Sequence, residues 1–391
     1  MKSSSNKTVV LTFVGSYLPG YKAGGILRTI ANTVDHLHDD FDFWIVTRDR
    51  DLGEDKPYAD IKINQWHQVG NAMVYYLQPQ SITVKDIKCL ILSTPHHVVY
   101  LNSFFDPLTI KVLLIRKVGW VDFNHVIVAP RGEFAWGSLG LKYLKKFTYI
   151  QVARLLGLYN KVRWQASSDL EVTDIINVMK IKPDVIHIAR DLPNNIISGD
   201  SCDVTFQPAD GCKVLRLVFL SRIAREKNLD YALKVLNKVN ARVDFDIYGP
   251  AEDTIYWKEC RDLINQLPVN VLVNYLGAVS PNEVIPTFSR YDLFLFPTAG
   301  ENYGHVIVES LMAGTPVLIS DRTIWRNLQA DGLGWNIDLK QMDSFVEIIE
   351  RFALLNKSER WKNRAIVKIK IAERLLDPAV LEANRNLFSK Y

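Results

Sequence analysis

The chain has few cysteines, little net charge and no long apolar run. Its four cysteines, Cys89, Cys202, Cys212 and Cys260, are scattered. That scatter shows no metal-ligand spacing and suits a reducing cytoplasm better than a disulfide framework. No stretch approaches the roughly 18 to 20 apolar residues that a bilayer-spanning helix needs. Lys2 and Lys7 precede Val9-Val10-Leu11-Thr12-Phe13-Val14. No small-x-small cleavage site follows, so this run reads as a first buried strand rather than a signal peptide. The 47 basic residues face 43 acidic ones, a formal +4. That is too mild a field to argue for nucleic acid. There is no Gly-x-Gly-x-x-Gly dinucleotide fingerprint, no low-complexity tract and no short-period repeat. A convincing carboxylate pair for a Mg²⁺–diphosphate bridge is also missing. The protein is expected in the cytoplasm, either free or peripheral on the inner face of a membrane.

What is present is an alternation of apolar runs with amphipathic stretches. At 391 residues and 48% hydrophobic, the chain is long enough for two cores. In the first half, strands are predicted at Thr8–Val14, Phe41–Thr47, Met73–Leu77, Val98–Asn102, His125–Ala129, Val162–Ala166 and Asp184–Ile188. Helices are predicted at Gly25–His38, Leu108–Val118 and Leu141–Leu156. His96-His97 reads as a strand start. Between about Arg190 and Lys213 the composition shifts to Asn, Ser, Gly, Asp and Pro, which reads as a linker. A second alternation follows, with strands at Val214–Leu220, Val243–Tyr248, Val271–Leu276, Leu293–Phe296 and Val317–Ser320. Its helices are Leu229–Val239, Tyr256–Leu267, Asn282–Ser289, His305–Ala313, Met342–Leu355 and Ser358–Leu376. Strand–helix alternation predicts parallel βαβ units, hence an α/β fold with two doubly wound, Rossmann-like domains.

The segment Glu301-Asn302-Tyr303-Gly304-His305-Val306-Ile307-Val308-Glu309 carries the chemistry. Its first acid lies in a loop after the Leu293–Phe296 strand and Pro297. Its second lies about one turn inside the following helix. Gly304 lets a ligand approach the backbone where that helix begins. Unpaired N–H groups and the positive end of the helix dipole suit a phosphate there. The flanking acids can accept from hydroxyls. Phosphate with hydroxyls on both sides describes a nucleotide sugar. The alternative is an ordinary βαβ unit with solvated or capping acids.

From Asp292 to Asp321, the Glu-x7-Glu spacing and the run Ala313-Gly-Thr-Pro-Val-Leu-Ile-Ser320 resemble the retaining nucleotide-sugar glycosyltransferases of family 4. The resemblance covers most of the second domain and patches of the first. It implies the GT-B fold, two Rossmann-like domains with a cleft between them. The acceptor domain would be residues 1–195, completed by a crossover helix at about 377–391 (Pro378 to Phe388). The donor domain would be 196–376. It further implies retention at the anomeric carbon, no metal, a UDP- or GDP-linked donor, and a lipid-linked or growing bacterial surface glycan as acceptor. A nucleotide-sugar epimerase and a non-catalytic nucleotide-sugar-binding protein remain the alternatives.

The same resemblance distributes the site residues. Arg222 and Lys227, in Leu220-Ser-Arg222-Ile-Ala-Arg225-Glu-Lys227-Asn228, match the cations that hold the donor diphosphate. Fixed cations stabilise the charge that grows on a leaving diphosphate, and an arginine fork fits phosphate geometry. Arg225 either joins them or faces water. Glu301 would hold the donor sugar and Glu309 the ribose, with Asn302, Tyr303, Gly304, His305 and Val306 lining the donor. Gly24 and Gly25 resemble the Gly-Gly turn near the donor phosphates. Asn102, Arg131 and Glu133 follow two strands and are acceptor candidates, with a surface salt bridge as the other reading of Glu133. Many relatives carry a histidine near the Arg131 segment, and this chain does not clearly place one there. Tyr248-Gly249-Pro250 and Leu276-Gly277-Ala278-Val279 either border the base or simply turn tightly. Trp136 to Trp164 interleaves aromatics with Lys142, Lys145, Lys146 and Arg154. It is either a surface for anionic lipid or a core helix with a solvated face.

Overall fold

The computed structural model describes residues 7–123, 125–140, 143–194, 214–375 and 377–389. Cys202, Cys212, Lys142 and most of the expected linker lie outside them. The chain divides into two compact units, Met1–Asn195 with Pro378–Tyr391, and Ile196–Asp377.

The first unit holds an eight-stranded sheet. Its strands are β1 (Thr8–Phe13), β2 (Phe41–Arg48), β3 (Trp66–Val69), β4 (Ala72–Leu77), β5 (Val98–Asn102), β6 (Val126–Ala129), β7 (Arg163–Ala166) and β8 (Ile186–Ile188). They lie in the order β3-β4-β2-β1-β5-β6-β7-β8. All neighbours pair in parallel except β3 and β4, where Trp66 opposes Tyr75 across an antiparallel edge. That edge corrects the all-parallel expectation. Trp66 is in edge contact with Trp44 at 4.7 Å and Tyr75 at 5.2 Å, so aromatic pairing holds a strand too short to signal itself. Helices Val84–Ser93 and Asp169–Met179 were not expected either. Thr83 and Ser168 cap them by accepting from Asp86 N and Glu171 N. The helix expected at Leu141–Leu156 is described at Tyr143–Leu155, and a short helix, Trp136–Gly140, precedes it. His97 lies just before β5, where its Nδ1 accepts from Val9 N at 2.9 Å. Helix Pro378–Ser389 completes this unit. Its Phe388 meets Phe41, Phe43 and Tyr100 at ring distances of 5.5, 5.9 and 5.2 Å.

The second unit holds six parallel strands, β9 (Leu215–Leu220), β10 (Val243–Tyr248), β11 (Val271–Gly277), β12 (Leu293–Phe296), β13 (Val317–Ser320) and β14 (Gly334–Ile337). Their order is β11-β10-β9-β12-β13-β14. β12 is Leu-Phe-Leu-Phe and every residue is buried, as a parallel strand covered on both faces must be. Each such side chain contributes roughly 1.5–3 kcal/mol by leaving water. Helix Lys357–Leu375 is fixed by Arg364, whose Nη1 donates to Tyr291 O (2.6 Å) and Nη2 to Ser289 O (2.7 Å). That arginine satisfies carbonyls where the helix Val284–Phe288 ends.

The strand order reverses between β9 and β12 in the second unit, and between β1 and β5 in the first. Ligands of open α/β sheets collect at the carboxyl ends of strands beside such reversals. The loops that matter are therefore 221–228 and 297–304, with 14–24 and 103–106 as their counterparts.

Candidate active site

In the second unit, the two loops at the reversal are tied backbone to backbone. After β9 the chain turns through Arg225–Lys227 to Asn228, left-handed at φ 63°. Glu226 O accepts from Ala299 N and from the Thr298 hydroxyl, both at 2.9 Å. Asn228 Nδ2 donates to Pro297 O at 3.0 Å. Thr298 is fully buried and its Oγ1 also accepts from Gly300 N at 3.2 Å. These bonds bring Lys227 to Glu301, Nζ to Oε2 at 2.8 Å, with both side chains largely buried.

Arg222 stands apart from that pair. It donates to Glu252 at 2.5 Å and lies 3.4 Å from Glu226. Arg225 faces outward in a bidentate pair with Glu259 at 2.6 and 3.0 Å, which raises its pKa. The arrangement favours the solvated reading of Arg225. All three cations thus meet acids when no ligand is bound.

Gly304 starts the helix His305–Met312 at φ 76°, and no side chain caps this end. A methyl group at Gly304 would meet Ile307 Cδ1 at 2.8 Å and Glu301 Cγ at 3.1 Å. The glycine is therefore required both by its left-handed backbone and by its neighbours. Asn302 and buried Tyr303 form the bend before it. Tyr303 O accepts from Trp325 Nε1 at 2.7 Å, and its ring lies edge-on to His305 at 4.8 Å. Val306 packs on the core, and half-buried Glu309 sits in the second turn.

Gly249 and Gly277 are explained by geometry. Gly249 has φ 130°, and a Cβ there would lie 1.8 Å from Ser221 O. Its N–H donates to Gly277 O at 2.7 Å. The two turns hold each other and leave room for the loop that carries Arg222.

In the first unit, Gly24 (φ 71°) starts the helix Gly25–Leu37 without a side-chain cap. The preceding loop hangs on Asp51, which accepts from Tyr21 N (2.8 Å) and Lys22 N (3.1 Å). At the strand reversal, Arg48 donates to Gly15 O at 3.1 Å and to Asp106 at 2.8 Å.

The acceptor candidates Arg131 and Glu133 are held by internal partners. Arg131 donates to Asp191 at 2.8 Å, to Asn102 Oδ1 at 2.8 and 3.0 Å, and to Tyr100. Burial opposes its charge, but Tyr100, Asp191 and Glu171 outweigh it and hold the pKa above its usual value. Asp191 also accepts from Thr29 at 2.8 Å. Glu133 is largely buried rather than half of a surface salt bridge. It accepts from Ser103 Oγ (2.6 Å), Phe104 N (2.5 Å) and Phe105 N (3.2 Å). Burial nevertheless pushes its carboxyl above the ordinary range. Among the three acceptor candidates, Asn102 Nδ2 is buried without a hydrogen-bond partner. Glu171 does the same work next door, accepting from Gly132 N at 2.7 Å and Ser167 N at 2.8 Å.

Sequence reasoning missed Thr298, Glu252, Glu171 and Asp191. A buried threonine straight after a strand-closing proline is a usable signal for the first. Glu252 and Asp191 act through partners 30 or more residues away and leave no local pattern, whereas Glu171 also bonds Ser167 and follows the cap Ser168 at i+3. Among the described residues, no group of three or more His, Cys, Asp or Glu could hold a metal ion. No described helix is long and apolar enough to cross a membrane.

Residues 212–368 match the family described as glycosyl transferases group 1. The alpha-monoglucosyldiacylglycerol synthase of Streptococcus pneumoniae is 30% identical over 122 residues, 31% of this chain and 27% of that protein. An uncharacterized 41.2 kDa protein in the cps region of Klebsiella pneumoniae is 26% identical over 138 residues, 35% of this chain and 36% of that one. The chain thus spans well under two thirds of these relatives. The Anabaena protein HepE, solved with UDP-glucose, superposes with a TM-score of 0.70 at 14% identity, covering 97% of this chain and 98% of that one. Residues 212–368 thus resemble the glycosyl transferases group 1 family, and the chain's two α/β units have the GT-B fold.

Proposed function

We propose that the protein is a retaining, family 4-like glycosyltransferase that moves a hexose from a nucleoside-diphosphate sugar to a glycan or lipid-linked acceptor in surface polysaccharide biosynthesis. One observation carries the reading. Lys227 and Glu301 meet beside the uncapped helix end at Gly304, at the strand reversal of the matched domain. A cation, an acid and a helix N-terminus at one point suit a sugar diphosphate. A capsule-region protein and a lipid glucosyl synthase among the relatives support the acceptor class. UDP-glucose in HepE supports a UDP-linked donor, with GDP the alternative.

In this reading the second unit holds the nucleotide and the first serves the acceptor, at the cytoplasmic face of a membrane. Glu309 holds the ribose and Glu301 the sugar hydroxyls. Asn302, Tyr303, His305 and Val306 line the donor. Gly24 and Gly25 offer N–H groups to its phosphate. The acceptor oxygen attacks the anomeric carbon from the face that the diphosphate leaves. The new C–O bond forms as the old one breaks, and the departing phosphate oxygen takes the acceptor proton. Lys227, Arg222 and the helix N-terminus stabilise the charge left on the diphosphate, so no metal is required. Arg222 must release or share Glu252 to do so.

Thermal-shift screening with UDP, GDP and their sugars tests the donor, since a ligand bound only by the native state raises its apparent stability. NMR of the product's anomeric configuration tests retention. An inverted product overturns the mechanism, and no response to any nucleoside diphosphate overturns the function.

A further inference from the structure

We propose that helix Tyr143–Leu155 docks the protein on an anionic lipid surface. Residues 134–168 contain no acid and six cations, Lys142, Lys145, Lys146, Arg154, Lys161 and Arg163. Within the helix only Ile150 and Ala153 are buried. Leu144, Thr148, Gln151 and Leu155 fall at i, i+4, i+7 and i+11, one row along its outer face. Leu144 is 80% exposed and Leu155 is 87% exposed. Tyr143 and Phe147, with rings stacked at 5.6 Å, border one side of that row together with Arg154. Lys145 and exposed Val152 border the other.

The pattern is that of a helix lying in a membrane interface. A row with a leucine at each end faces outward, aromatic rings lie beside it and a cation stands on each flank. A core helix would bury the row, and a solvated helix would not place two leucines there. Lys145 and Arg154 have no ion-pair partner among the described residues. Their charge is therefore available to anionic headgroups. Lys146 is held inward, donating to Ser138 O at 2.6 Å and lying 5.2 Å from the Phe105 ring. The acid-free stretch decides the occupant: a lipid surface of negative sign fits it, whereas a second copy would oppose like charges.

This surface deepens the lipid-linked acceptor reading and rests on it for its place in the cell. Vesicle binding is measured without donor or acceptor, and transfer to a water-soluble acceptor is assayed separately, so either can fail alone. The intact chain should co-sediment with vesicles of phosphatidylcholine and phosphatidylglycerol and not with phosphatidylcholine alone. Leu144→Asp/Leu155→Asp should weaken that binding about tenfold or more. Lys145→Ser/Arg154→Ser should weaken it by roughly tenfold or more and remove its salt dependence. All four side chains are exposed, so the thermal transition should not move. Wild-type protein that stays in the supernatant, or an aspartate variant that binds equally well, overturns the proposal. So does a dimer seen by light scattering that the aspartate variant abolishes, since a second copy would then cover the face.

Discussion

Lys227 Nζ and Glu301 Oε2 lie 2.8 Å apart, although 74 residues separate them in sequence. The contact makes each the other's counter-ion before any substrate arrives. Replacing Lys227 with Ala should lower turnover by roughly 10²–10³-fold, the usual scale for a lost transition-state charge contact. Arg222→Ala should fall in the same range with the fold intact, because its partners lie at the surface. Steady-state kinetics checks both, and near-normal rates in the double variant would remove the diphosphate assignment.

The two acids should separate in binding. Glu301→Gln keeps its size and should cut transfer severely while leaving affinity for the bare nucleoside diphosphate almost unchanged. Glu309→Ala should weaken that affinity by about 1–3 kcal/mol, the scale of a charged hydrogen bond. Calorimetry with UDP and GDP distinguishes them. The reverse order would mean that the donor lies the other way round.

Initial rates should be insensitive to excess EDTA. On the proposed mechanism, the cations at 222 and 227 supply the charge that Mg²⁺ supplies elsewhere. Activity lost with EDTA and restored by Mg²⁺ or Mn²⁺ would defeat this.

Thr298→Val should raise KM for the donor and lower kcat together, by roughly tenfold overall. It removes the buried hydroxyl that joins the Glu226 carbonyl to the Gly300 amide, at a cost of about 1–3 kcal/mol. Thr298→Ser keeps that hydroxyl and should recover most of the rate. A serine variant as poor as valine would show that the methyl group, not the hydroxyl, matters.

Asp174 gives a pH signature. Burial first, and then the Glu171 charge, raise its pKa from 3.8 to about 6. The folded state therefore binds more protons than the unfolded state between those values, and stability falls as pH rises through that window. Asp174→Asn should stabilise the protein at about pH 7 by about 1 kcal/mol, allowing for solvent screening of a half-buried group. The gain should vanish near about pH 4. Urea titrations at both values check it, and an equal gain at both would assign the effect to packing.

Strands at or beside the reversals were legible as short apolar-rich runs, two of them closed by glycine or proline. Val98–Asn102, Val243–Tyr248, Leu293–Phe296 and Val317–Ser320 begin and end where expected. β3 and β14 were not, since four residues held by neighbours carry no period of their own. The same divide runs through the site. Glu301, Gly304 and Glu309 share one local segment and could be read from it. The roles of Arg131 and Glu133 could not, because their partners, Asp191 and Ser103–Phe105, come from other strands. Both looked like exposed loop residues, and both turned inward to satisfy backbone and side-chain groups at the strand ends.

Phe388 fills a place among Phe41, Phe43 and Tyr100, more than 280 residues upstream. During synthesis, that place stays vacant until the ribosome has passed residue 388. The N-terminal sheet emerges first and is finished last. A nascent chain halted after the first unit has its switch-point loops in place but an aromatic face still open to water. The strands around residues 41 and 100 must wait for the helix that carries Phe388 before their aromatic face is closed.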